Sequence, residues 1–225
     1  MKKIVLVAIP LLILVLATLV IASSEKPASR DFQITTDPKY DRNPGFFRAD
    51  DGTYWLFYTR GKDNRGIRDF LGYNPDYDSY DIYYRTAKSI PGLQKANDNI
   101  IRLIPPANTQ RDIATLQASD GTIWVFTSSG YGPSSDARIF YYKYDGASWS
   151  GPTPIADTDN AGHIDALEYN GKIWLFFDAW EYNLKVTYYD GSTWSTPKDI
   201  HTYATIAKAI VEDGTFYVVW TTSAG

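Results

Sequence analysis

Hydrophobic and polar positions alternate with a period of two in four places, and each alternation starts from the same kind of turn. The segments DGTYWLFYTR, DGTIWVFTSS, NGKIWLFFDA and DGTFYVVWTT begin at residues 51, 120, 170 and 213. An Asp-Gly or Asn-Gly pair signals a hairpin, because both residues accept the positive φ of a type I′ turn. The alternation after it describes a strand with one buried face. Trp55 and Phe57, Trp124 and Phe126, Trp174 and Phe176, and Tyr217 and Val219 stand three and five residues after the turn glycine. The pattern predicts that these pairs line the core face of four equivalent strands.

A second element recurs in IFYYKYDGASW (Ile139 to Trp149) and KVTYYDGSTW (Lys185 to Trp194), each joining two strands through Asp-Gly-x-x-Trp. Reading outward from the turns predicts four-stranded units at about 43–104, 111–155 and 162–200, with a partial unit at 204–225. The turn glycines lie 69, 50 and 43 residues apart, around the ~40–50 residues of a propeller blade. An inserted loop lengthens the first interval. The fold class expected is all-β, a β-propeller of four-stranded antiparallel blades over 36–225, with three complete blades and a partial fourth. That count predicts either truncation from a five- or six-bladed ring or an open ring, with residues 31–37 placed to add an outer strand to the last blade.

Composition changes the picture at the N-terminus. Lys2 and Lys3 precede an uncharged run from Ile4 to Ala22, the signature of a segment that enters a membrane and exports the rest of the chain. Residues 1–24 therefore read as a signal peptide, with Val20-Ile21-Ala22 as a cleavage site, or as a signal anchor. Residues 25–35 read as a linker, and the protein as extracellular or at the cell surface. The chain has no cysteine, which excludes disulfides and thiolate metal sites. Without Lys2 and Lys3 the remainder carries 20 basic and 26 acidic side chains, a poor balance for nucleic acid.

In a propeller, the loops entering the first strand of each blade and those joining its second and third strands share one face. Arg42 and Arg111 each stand ten residues before a turn glycine, so two planar guanidiniums are expected at equivalent rim positions, suited to a carboxylate or sugar hydroxyls. The loop Gly61 to Asp81 mixes Asp, Arg and Tyr, and aromatic faces with polar groups around them suit carbohydrate. Asp178, Trp180 and Glu181 repeat that mixture in the third unit, and His163 falls at the rim of the central channel. Asp63, Asp76 and Glu181 are the carboxylates placed for acid–base work. Asp157 and Asp159 sit in a segment with near EF-hand spacing but between strands, which reads either as a non-helical calcium loop or as a polar turn. No other cofactor is expected.

Asp145-Gly146-Ala147-Ser148-Trp149 and Asp190-Gly191-Ser192-Thr193-Trp194 resemble the Asp-box of the sialidase-like (BNR-type) propeller superfamily, one residue shorter. Arg42-Asn43-Pro44 resembles the Arg-Ile-Pro start of that superfamily. The resemblance implies that Arg42 binds a substrate carboxylate, that Asp63 or Asp76 is the acid, with Arg60 beside it, and that Arg111 is a second arginine. No arginine follows Arg138, so the later arginines of a sialidase have no match. The same stretch is similar to the propellers of glycoside hydrolase family 43, in which an Asp-Pro supplies the catalytic base; here Asn43 holds that place, and an amide cannot take up a proton as a base does. These resemblances imply a carbohydrate-recognising propeller, either an exo-glycosidase of sialidase type or a non-catalytic lectin or adhesion module binding glycan or protein.

Overall fold

The computed structural model describes residues 34–35, 41–61, 80–101, 110–129, 138–179 and 183–222. The propeller forms one compact unit, Ile34–Gly225. The leader and most of the linker lie outside the described residues. Among the described residues no helix is long and apolar enough to cross a membrane.

Each repeat folds as a meander. The first sheet is β1 (Asp41–Arg48), β2 (Tyr54–Gly61), β3 (Tyr80–Ala87) and β4 (Asn99–Ile101), with a short helix α1 (Ile90–Lys95) before β4. The second is β5 (Gln110–Gln117), β6 (Ile123–Ser129), β7 (Ile139–Tyr144) and β8 (Trp149–Pro154). The third is β9 (Gly162–Tyr169), β10 (Lys172–Ala179), β11 (Asn183–Tyr189) and β12 (Lys198–His201), and the fourth holds only β13 (Ala204–Glu212) and β14 (Thr215–Thr222). The four antiparallel sheets are the blades of a β-propeller, as the repeat predicts. The first strands pack in order, β1 on β5, β5 on β9 and β9 on β13.

Alternation along each second strand decides which neighbour a side chain meets. Positions three and five after the turn glycine face the following blade: Phe57 packs with Ile113, Ile123 and Val125, while Trp124 and Phe126 pack with Ile164, Ile173 and Leu175. Intervening positions face the preceding blade, and so Phe216 and Val218 pack on Phe176 and Leu184. Phe57, Phe126 and Phe176 are at most 1% exposed, and burying each such side chain contributes about 1.5–3 kcal/mol. The expectation fails in the fourth blade, where Tyr217 and Val219 are 49% and 66% exposed. No described blade follows theirs. In the first blade, Leu56 and Tyr58 are covered by Leu93 of α1 and by Ile34. Ile34 therefore covers the first blade, and the described part of 31–37 adds no strand to the fourth.

The Asp-Gly-x-x-Trp turns lock one blade onto the one before it. Asp145 Oδ1 accepts from the backbone N–H of Ala147 and Ser148, both at 2.8 Å, and Asp190 Oδ1 accepts from Ser192 and Thr193, both at 2.9 Å. Those backbone donors hold the Asp190 carboxyl down at about 2. Gly146 and Gly191 sit at φ 98° and 101°, a region open to glycine. The turns aim Trp149 edge-on at Phe57, at 6.1 Å, and Trp194 edge-on at Phe126, at 5.9 Å. At the inner edge, a Cβ on Gly45 would lie 2.6 Å from Thr115 Oγ1, so glycine is what lets β1 approach β5.

Candidate functional site

The strand register breaks at one equivalent place in the first strand of every blade. Irregularities fall between Arg42 and Gly45, between Gln110 and Ile113, opposite Phe177 in β9, and between Thr205 and Lys208. The regular pairs beyond the breaks, Gly45 with Phe57, Ala114 with Phe126, Asp165 with Phe176 and Lys208 with Val219, make Asn43, Asp112, His163 and Ile206 equivalent residues. A bulge bends the strand and re-aims its side chains. Asn43 and His163 take positive φ of 51° and 37°, uncommon for residues with a side chain and a mark of constrained backbone.

The bulges meet around a cavity of about 180 Å³. Its apolar wall takes one residue from each blade, Pro44, Ile113, Ile164 and Ala207, and its polar wall is Asn43, Asp112, His163 and Lys208. The polar groups are chained from blade to blade. Asn43 Nδ2 donates to Asp112 Oδ1 at 3.0 Å, and the backbone N–H of His163 donates to Asp112 Oδ2 at 3.0 Å. Ser128 of the neighbouring strand adds a longer 3.5 Å contact from its hydroxyl to Asp112 Oδ2. Lys208 Nζ donates to Asp165 Oδ1 at 2.8 Å, and the N–H of Ala209 donates to the other oxygen at 2.8 Å.

His163 Nδ1 lies 2.9 Å from Asp178 Oδ2. The imidazole is 45% exposed while the carboxylate behind it is fully buried. The hydrogen bond to Asp178 pushes the His163 pKa above its ordinary value, burial opposes this, and the charges of Asp178 and Asp112 add to the rise. Asp178 Oδ1 is buried with no hydrogen-bond partner, an arrangement that costs stability and so marks a constrained group.

Arg60, expected as a substrate clamp, requires correction. It is 3% exposed and enclosed in the first blade: its guanidinium donates to Asp41 at 2.6 and 2.9 Å and to Asp98 at 2.6 Å. It also lies 5.1 and 4.9 Å from the ring centres of Tyr58 and Tyr83. Arg85 donates to Asp98 and to the carbonyls of Leu93 and Ile34, and the Tyr58 hydroxyl donates to Asp98 Oδ1 at 2.5 Å. Burial works against the charged Asp98, but Arg85, Tyr58 and Arg60 outweigh it and hold the carboxyl down at about 2.

The other expected residues divide by location. His163 and Asp178 come together as described. Arg42 and Arg111 occupy equivalent backbone positions in β1 and β5, with their side chains outside the described part. Asp63, Asp76, Trp180 and Glu181 lie outside the described residues. Asp157 and Asp159 form the turn between β8 and β9, which is tied to β7: Asp159 pairs with Arg138 at 3.3 Å, and Thr158 Oγ1 accepts from the N–H of Ile139 at 3.0 Å. Among the described residues no group of three or more His, Cys, Asp or Glu is arranged to hold a metal ion. Asp112 is legible in the sequence only as a neighbour of Arg111. Its signal is its place nine residues before Gly121, matching Asn43 before Gly52.

No protein-family model matches the sequence, and no curated protein matches it. Solved structures do. A family 117 glycoside hydrolase of the marine bacterium Zobellia galactanivorans is similar at 16% identity and TM-score 0.54, over 85% of this chain and 69% of that one. An α-L-arabinanase of Penicillium chrysogenum, solved with arabinobiose, is similar at 14% identity and TM-score 0.59, over 80% of this chain and 57% of that one. A thermostable family-43 glycoside hydrolase is similar at 12% identity and TM-score 0.53, over 81% and 65%. The chain thus spans between 57% and 69% of these enzymes' length. At these identities the likeness is one of fold: this chain is built on the β-propeller seen in glycoside hydrolases of families 43 and 117.

Proposed function

We propose that this chain is an exported carbohydrate-recognising propeller whose ligand enters the cavity ringed by the four bulges. The observation that carries this reading is the ring itself, in which equivalent positions of successive blades present Asn43, Asp112 and His163 to one space. Amide, carboxylate and imidazole suit the mixed donors and acceptors of sugar hydroxyls, while Pro44, Ile113, Ile164 and Ala207 suit the apolar face of a sugar ring. The cavity, about 180 Å³, is smaller than the ~300–1,000 Å³ that encloses drug-sized ligands, which fits one terminal sugar. The neighbours' names point first to arabinose- and galactose-containing glycans, since an arabinanase and a putative exo-β-1,3-galactanase are among them. The sialidase-type reading rests on Arg42 and Arg111 and stands second.

Turnover is supported by one arrangement: His163, backed by Asp178, offers a proton beside the Asp112 carboxylate, and glycoside hydrolysis needs an acid and a base or nucleophile. Asn43, at the place of the family 43 base, supports binding without cleavage. A glycan array and a panel of chromogenic arabinosides, galactosides and sialosides, run on the full-length chain, separate these readings. Binding lost in Asp112→Asn supports the site. Turnover lost in both Asp112→Asn and His163→Gln makes it a glycosidase, and binding without turnover makes it a lectin. Folded protein that neither binds nor cleaves any member overturns the proposal. Export is tested by mass spectrometry of the mature N-terminus.

A further inference from the structure

Aromatic rings from successive blades form two equivalent cages, and only one of them holds a cation. Between the second and third blades the rings are Trp124, Tyr141, Tyr189 and Trp194, and between the first and second they are Trp55, Tyr84, Tyr144 and Trp149. The two sets match in register: Trp124 pairs with Lys143 and Phe126 with Tyr141, as Trp55 pairs with Thr86 and Phe57 with Tyr84. They also match in geometry. Ring centres lie 5.4 Å apart for Trp124 and Tyr189 and 5.6 Å apart for Trp55 and Tyr144, with interplanar angles of 56° and 55°. Trp124 and Tyr141 are 5.3 Å apart, and Trp55 and Tyr84 are 5.6 Å apart.

The cage between the second and third blades is filled by the protein's own ammonium group. Lys143 Nζ lies 4.0 Å from the Trp124 ring centre, 4.7 Å from Tyr189 and 5.5 Å from Tyr141, inside the ~6 Å over which a ring face attracts a cation. Trp124 is 4% exposed beneath it. In the first blade Thr86 stands where Lys143 would be, too short to cover the rings and without charge. Trp55 stays partly exposed beside it. Among the described residues no cation lies over Trp55, Tyr84 or Tyr144.

The surrounding charges select the kind of cation that fits. Burial lowers the Lys143 pKa and the Asp120 carboxylate opposes this, so an acid acts on the ammonium in the filled cage. The equivalent acid of the first blade, Asp51, is already engaged: Lys88 Nζ donates to it at 3.0 Å and Thr53 Oγ1 at 2.8 Å. A primary ammonium brings three donors that need acceptors. A quaternary ammonium brings none, and its methyl groups lie directly against ring faces.

We propose that Trp55, Tyr84 and Tyr144 form a binding site for a trimethylammonium group on a short alkyl chain, which enters over Thr86 and takes the place that Lys143 fills in the next blade. The site lies at the turn end of the blades, where Trp55 pairs with Phe47, whereas the bulge of β1 lies beyond Gly45 at the other end of that strand. It is therefore distinct from the carbohydrate cavity.

The test is titration of choline into the full-length chain, followed by calorimetry and by NMR of the choline methyl protons, in a non-ionic polyoxyethylene detergent that carries neither an ammonium group nor a sugar. The expected result is saturable one-to-one binding, with the methyl resonance shifted upfield by the rings. The neutral tert-butyl analogue of choline, with carbon in place of nitrogen, should bind at least tenfold more weakly. Thr86→Lys, which gives the first cage the residue that fills the second, should weaken choline binding at least tenfold with unchanged circular dichroism. Folded wild-type protein that does not bind choline overturns the proposal. So does equal affinity for the neutral analogue, which leaves only an apolar pocket. A folded Thr86→Lys chain that binds choline as tightly as the wild type also overturns it, because the site then lies elsewhere.

Discussion

Two clusters of charged side chains lie within one propeller and obey opposite rules. Around Arg60 the described groups answer one another: two aspartates, a second arginine, a tyrosine hydroxyl and backbone carbonyls close together from the first blade, its helix and Ile34. Around His163 the polar groups belong to three blades, the imidazole is half open, and one oxygen of the buried Asp178 is left without a partner. Satisfied ion pairs hold a structure in one arrangement, whereas the second set lines a cavity from strained backbone at Asn43 and His163, the place the proposed function gives to a sugar. Both clusters contain arginine, histidine or aspartate at a strand end. Only their closure tells them apart.

Removing Arg60 should produce the largest effect. Arg60→Ala strands Asp41 and leaves Asp98 to Arg85 and Tyr58, and breaking a buried pair from one side costs about 3–5 kcal/mol. Urea denaturation should show that loss, while Arg60→Lys, a poorer match to two carboxylates, should recover part of it. If Arg60→Ala loses sugar binding at full stability, the cluster is functional and the contrast fails.

Asp112→Asn should do the reverse. It keeps the volume but removes a charged acceptor facing the cavity, so affinity should fall by about ten- to a hundredfold, the ~1.5–3 kcal/mol of a hydrogen bond to a charged group. The melting temperature should fall by less than in Arg60→Ala, because one of the two oxygens that accept from Asn43 and His163 becomes an amide donor and a single inter-blade hydrogen bond is lost.

Acid separates the clusters further. Asp98, held at about 2 in the folded chain against ~3.9 unfolded, contributes stability that is present above pH ~4 and is lost as pH falls through about 2. Acid unfolding monitored by circular dichroism should show this limb in the wild type and its absence in Asp98→Asn.

The smallest effect belongs to His163. Its folded pKa is raised by Asp178, so the stability it contributes is full below the unfolded value of ~6.5 and disappears as pH rises through the folded value. Two-dimensional NMR of the imidazole should report a raised midpoint in the wild type and one nearer ~6.5 in Asp178→Asn.

The blades are legible in the sequence because Asp-Gly and Asn-Gly turns state where strands begin, and tryptophan at a fixed offset states which face is buried. The exposure of Tyr217 and Val219 is not, because the pattern says which way a side chain points and not whether another blade lies there. Arg60 escapes the sequence for a related reason. Asp98, which occupies its guanidinium, lies 38 residues away in sequence and reaches it through a β3–β4 connection that no local periodicity describes. The site is half visible: His163 and Asp178 stand out as polar residues in apolar strands, whereas Asp112 looks like a loop acid beside Arg111. Its role depends on bulges that bring three first strands to one axis, a consequence of register rather than of residue type.

The claim that the ring of bulges binds sugar is tested most directly by calorimetric titration of a terminal arabino- or galacto-oligosaccharide into three proteins: wild type, Asp112→Asn and Arg60→Lys. Saturable one-to-one binding is expected for the wild type and for Arg60→Lys, and at least tenfold weaker binding for a folded Asp112→Asn. Equal affinity in wild type and folded Asp112→Asn would contradict it.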